Sequence, residues 1–255
     1  MRTITIILII SVSINILGAI AGYKAYKMLK LSKEMYDIYI TLRRDIPGLR
    51  FYNNANEEIS GGKSNSRVVF LGASVTKRWD LQKYFNDPDY INRGVGGQLA
   101  PQLLARLYQD AVELHPRAVV IELCAINALP NVNPQAAKYA VHSMVDLCEV
   151  NGIEPILTTT LPISRAYEQA HEGGDMTSRL IDLNRWIENF AQKNDIKLIN
   201  YFNSLSADDN YIRPELTEDG IHPNEKGYEL MAELTRLILA QLDNSITDKV
   251  DASIQ

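Results

Sequence analysis

The sequence predicts an α/β fold: a three-layer α/β/α sandwich around a mainly parallel sheet of about five strands, preceded by an N-terminal transmembrane or signal helix. Three observations predict it. Short apolar runs without alternation recur along the chain, as in strands buried on both faces. Stretches with helical patterning separate them, so successive strands need crossovers and run parallel. Before all of these, residues 3–22 (TITIILIISVSINILGAIAG) carry no charged side chain.

Twenty helical residues at about 1.5 Å each span about 30 Å, the thickness of a bilayer's hydrocarbon core. Residues 1–23 therefore read as a retained anchor or as a signal peptide, with Ala19-Ile20-Ala21 as a small-x-small cleavage site. The run exceeds the usual signal core of about 7–15 residues, which favours the anchor. Lys24, Lys27, Lys30 and Lys33 follow it and favour a cytoplasmic C-terminal part, whereas a cleaved signal predicts export. Residues 24–66 form a stalk helix and linker. Met28, Leu31, Met35, Ile38 and Leu42 fall on one helix face, suited to self-association or to packing on the chain's own domain. Pro47 and Gly48 end this helix. Residues 53–66, rich in Asn, Ser, Gly and Glu, read as a linker.

The main domain is expected over residues 67–243. Strand candidates are 67–71 (RVVFL), 90–92, 118–123 (AVVIEL), 153–159 and 196–200. Helices are expected over 98–113, 134–150, 177–193 and 224–242, with Asn151-Gly152 stopping the second. The segment 162–175 is long enough for a lid or specificity loop. The polar tail 244–255 is expected to fray.

Of the 255 residues 46% are hydrophobic, enough for a full core. The net charge of -5 argues against a nucleic-acid partner. Cys124 and Cys148 make no disulfide framework and read as two buried thiols. No metal-ligand cluster stands out, and no cofactor is expected.

In such sheets the ligand site lies outside the carboxyl ends of the strands. The segments that follow the strands are Gly72-Ala73-Ser74-Val75-Thr76, Asn92-Arg93-Gly94-Val95-Gly96-Gly97 and Cys124-Ala125-Ile126-Asn127. Asp219-Gly220-Ile221-His222-Pro223-Asn224 comes just before the last helix. A serine hydroxyl needs a neighbouring base, a histidine can be that base, and a carboxylate on its other nitrogen fixes the tautomer. Backbone N–H groups in a glycine turn and an asparagine amide can hold the oxyanion. The glycines at 94, 96 and 97 do not meet the spacing of a dinucleotide-binding loop. His115, His142 and His171 read as structural or surface residues.

This set resembles the SGNH (GDSL-type) hydrolase superfamily from Arg67 to about Leu242. Its first block G-D-S is matched by Gly72-Ala73-Ser74, its second-block glycine by Gly97, and its third block G-x-N-D by Ala125-Ile126-Asn127-Ala128. Its last block D-x-x-H stands intact as Asp219-Gly220-Ile221-His222. Ala73, Ala125 and Ala128 depart from the pattern. The resemblance implies a flavodoxin-like SGNH fold, Ser74 as nucleophile, His222 as general base and Asp219 orienting it. It also implies an oxyanion hole from Ser74, Gly97 and Asn127, no metal and an extracytoplasmic setting. Three functions are compatible with it: a serine esterase acting on a small-molecule, lipid or glycan ester, an envelope O-acyltransferase or deacetylase using the same site, and a non-catalytic anchored interaction protein.

Overall fold

A computed structural model describes residues 2–59, 64, 66–171 and 175–254. Two compact units divide at Ile46 and Pro47. The first is a single helix, α1 (Arg2–Arg44). Its segment Thr3–Ile40 is long and apolar enough to cross a membrane and is not buried against other residues. Met28, Leu31, Met35 and Ile38 are all exposed along it.

The second unit carries the expected α/β fold. Its strands are β1 (Val68–Gly72), β2 (Tyr90–Gly94), β3 (Ala118–Ile121), β4 (Glu154–Thr158) and β5 (Lys197–Ile199). They pair in parallel in the order β2-β1-β3-β4-β5. The reversal of strand order falls between β1 and β3. There the connections leave in opposite directions and open a crevice at the carboxyl edge.

Alternate strand residues feed two separate cores, because successive side chains point to opposite faces of a sheet. Val69, Leu71, Val119 and Ile121 pack on one face against α5 (Ala100–Asp110), α6 (Pro134–Val150) and α8 (Met176–Lys193). Val68, Phe70, Ala118 and Val120 pack on the other. That face is covered by α3 (Ser74–Arg78), α4 (Leu81–Phe85), α9 (Tyr201–Leu205) and α10 (Glu225–Ile254). Burying each such Leu, Ile, Val or Phe is worth about 1.5–3 kcal/mol, so both cores together make the sandwich.

Two stretches differ from the sequence expectation. Residues 53–59 of the expected linker form a helix, α2 (Asn53–Ile59), whose Asn56 is buried and hydrogen-bonded to Asp110 on α5. The polar composition that reads as linker is here the polar side of a packing contact. The rest of that linker, at 60–63 and 65, lies outside the described residues, as do 172–174 of the segment 162–175. Within that segment, Arg165–Ala170 is helical (α7), begun by the Ser164 side chain accepting from the Tyr167 N–H. The last helix, α10, runs on to Ile254; no glycine or proline after Gly227 stops it.

Candidate active site

Ser74 is the first residue of α3, two positions after β1 ends. Its N–H is one of those a helix start leaves without an intrahelical acceptor. The Ser74 hydroxyl lies 2.9 Å from His222 Nε2.

The segment 217–223 builds the other half of the site locally. Asp219 Oδ1 accepts the N–H groups of Ile221 at 3.2 Å and His222 at 2.9 Å. Its Oδ2 lies 2.7 Å from His222 Nδ1. That contact places the ring proton on Nδ1 and leaves Nε2 free to accept from Ser74. Thr217 closes the turn: its hydroxyl donates to the His222 carbonyl and accepts the Gly220 N–H. Ile221 anchors the turn in a small core with Ala125, Ala128, Ile163, Met176, Leu180 and Phe202. Ala125 and Ala128, two of the departures from the family pattern, are thus apolar because they are buried in this cluster.

Partial burial opposes ionisation of Asp219. The hydrogen bonds from the His222 ring and from the His222 and Ile221 N–H groups outweigh it and hold the carboxyl down at about 2. Arg78 lies 3.5 Å from the same carboxylate, but both side chains are well exposed and the pair is weak.

Asn127 stands across the β1/β3 crevice, in the short 3-10 turn that follows β3. It is buried. Its Oδ1 accepts the Ala100 N–H at 3.0 Å, and Nδ2 donates to the Cys124 carbonyl at 2.9 Å. These bonds fix the amide orientation and leave one Nδ2 proton without an acceptor among the described residues. Gly97 has φ +78°, a left-handed conformation that glycine adopts without penalty. A Cβ on its neighbour Gly96 would lie 3.8 Å from Ser74 Cβ, so this loop runs beside the serine.

Four elements of the surroundings escape the sequence reading. Arg106 and Asp110 form a fully buried ion pair at 3.0 Å on α5, and Arg106 also donates to the Gly72 carbonyl at 2.9 Å. Tyr52 donates to the Gly94 carbonyl at 2.7 Å and Gln98 to the Pro47 carbonyl at 2.6 Å, so residues 47–59 brace the glycine loop. Tyr228 donates to the Val75 carbonyl at 2.8 Å. Glu122 lies buried beneath the serine turn. The one visible hint was charge inside apolar patterning: Glu122 closes an apolar strand, and Arg106 and Asp110 are spaced i,i+4 on the inward face of α5.

Cys124 and Cys148 are buried and free, and burial pushes their thiols up to about 11 and about 12. His142 lies on α6 beside Phe190, and His171 stacks on Tyr167. His115, in a left-handed turn, is exposed.

A five-stranded parallel sheet thus carries a serine, a histidine and a carboxylate in hydrogen-bonded series, an arrangement shared by several classes of α/β hydrolase. The chain belongs to the GDSL-like lipase/acylhydrolase family, which it matches over residues 62–230. Among solved structures it is similar to a candidate acylhydrolase of Bacteroides fragilis NCTC 9343, at 31% identity and TM-score 0.70, covering 78% of this chain and 98% of that one. It is also similar to a GDSL-like lipase of Bacteroides thetaiotaomicron VPI-5482, at 27% identity and TM-score 0.69, covering 77% and 98%. An acetylxylan esterase from Geobacillus stearothermophilus shares the fold at 18% identity and TM-score 0.54, covering 68% and 94%. No curated protein matches the chain.

Proposed function

We propose that this protein hydrolyses carboxylic esters through an acyl-enzyme on Ser74. The observation that carries the reading is the unbroken series Asp219 Oδ2–His222 Nδ1 at 2.7 Å and His222 Nε2–Ser74 Oγ at 2.9 Å. Ser74 Oγ attacks the ester carbonyl while His222 Nε2 takes its proton. Asp219, held ionised, stabilises the imidazolium. The tetrahedral oxyanion accepts from the N–H groups of Ser74 and Gly97 and from the Asn127 amide. His222 then protonates the leaving alcohol, and a water activated by the same ring releases the acid. Labelling by a fluorophosphonate probe tests this. A parent protein that stays unlabelled, or a Ser74→Ala protein that keeps full activity on a short p-nitrophenyl ester, would sink it.

α1 supports membrane attachment, as a retained anchor or as a signal segment, because it is apolar over a membrane-spanning length. Its presence also favours a second reading, an acyl group delivered to or removed from an envelope glycan or lipid by the same site. Product analysis with and without an alcohol acceptor separates transfer from hydrolysis.

A further inference from the structure

The turn that carries Ser74 is tied to the neighbouring strand by a side chain that the reaction does not use. Glu122 follows β3 directly and is buried. Its Oε2 accepts the Ala73 N–H at 3.1 Å and the Thr76 hydroxyl at 3.0 Å. The Glu122 N–H donates to the Leu71 carbonyl at 2.9 Å, which fixes the backbone from which the side chain reaches. Residues 73 and 76 bracket Ser74, so one oxygen holds both ends of the serine turn. Gly72 makes room for this: a Cβ there would lie 2.6 Å from Glu122 Oε2 and closer still to the Thr76 hydroxyl.

Core filling does not explain an acid here. Oε1 has no hydrogen-bond partner among the described residues. Burial pushes the carboxyl up, against the donors that favour its ionised form. A buried, half-satisfied acid costs stability that an apolar side chain would not. The donors it meets are those of the nucleophile turn, and Ala73 gives that turn no polar side chain of its own.

We propose that Glu122 is a positioning residue: from β3 it supplies the acceptor that the turn lacks, and so fixes the 73–76 backbone with the Ser74 hydroxyl on His222. This rests on the reading of Ser74 as nucleophile.

Three substitutions in the full chain test it: Glu122→Gln, which keeps an acceptor oxygen, Glu122→Leu, which removes it, and Thr76→Val, which removes one donor. Rates of fluorophosphonate labelling, kcat and KM on a p-nitrophenyl ester, and Tm are measured for each. Glu122→Gln retains kcat within about threefold, whereas Glu122→Leu and Thr76→Val lower kcat and the labelling rate at least about tenfold, with KM nearly unchanged, as expected for a displaced nucleophile. A labelled parent, with folded Leu and Val variants whose Tm falls while kcat stays at the parent value, would overturn the proposal. If Glu122→Leu does not fold, Thr76→Val decides alone. An unlabelled parent would refute the Ser74 reading itself, and the proposal with it.

Discussion

His222 Nε2 lies 2.9 Å from the Ser74 hydroxyl across 148 positions of sequence. The ring is mostly sheltered, at 13% side-chain exposure, and is fixed from behind by Asp219. Ser74→Ala and His222→Ala are each expected to lower kcat by about 10⁴–10⁶-fold, with little change in KM or Tm. Steady-state assays on a short p-nitrophenyl ester, beside thermal melts, check this.

Asp219→Asn keeps the size of the side chain but loses the charge. It favours the wrong tautomer of His222, and kcat is expected to fall by about 10³–10⁴-fold. The pH dependence of stability has a definite sign. The carboxyl sits at about 2 in the folded chain, below its ordinary value of 3.8. Its ionised form therefore adds stability that is fully present above pH 3.8 and lost as pH falls through about 2. The stability gap between parent and Asp219→Asn, followed by denaturant titration, should close over that window.

Under the proposed mechanism Asn127→Ala removes an oxyanion donor, and it leaves the buried Ala100 N–H without its acceptor. Loss of one such donor lowers kcat by about 10²–10³-fold. The unpaired backbone group costs about 1–3 kcal/mol of stability. Kinetics and urea unfolding on the same variant report the two effects separately.

The Arg106–Asp110 pair is fully buried. Asp110→Ala strands the guanidinium and is expected to destabilise the fold by about 3–5 kcal/mol. Because Arg106 also holds the Gly72 carbonyl, kcat should fall as well. Urea midpoints and assays at a temperature where the variant is fully folded measure both.

A retained α1 predicts that the expressed chain fractionates with membranes and resists extraction by carbonate at high pH, whereas a cleaved α1 predicts a released chain. Amino-terminal sequencing of the membrane-bound and released chains separates the two forms. An intact Met1 means an anchor, and a start near residue 22 means a cleaved signal.

The sequence by itself determined what depends on neighbours a few residues apart. Periodicity placed α6 over 134–150 and all five strands within a few residues. The spacing Asp-x-x-His, closed by Thr217, suffices to set Asp219 on His222 Nδ1, because one short turn brings the two together. The tertiary structure alone decided what crosses the sheet. Ser74 meets His222 only because β1 and α10 share one core, through contacts such as Tyr228 to Val75. Asn127 stands just past the end of β3, which pairs with β1 in a fixed register. For Glu122, Arg106 and Asp110 the sequence holds only a hint, charge set inside apolar patterning. What makes them internal is burial, and burial is set by the packing of elements far apart in the chain, which no local pattern encodes.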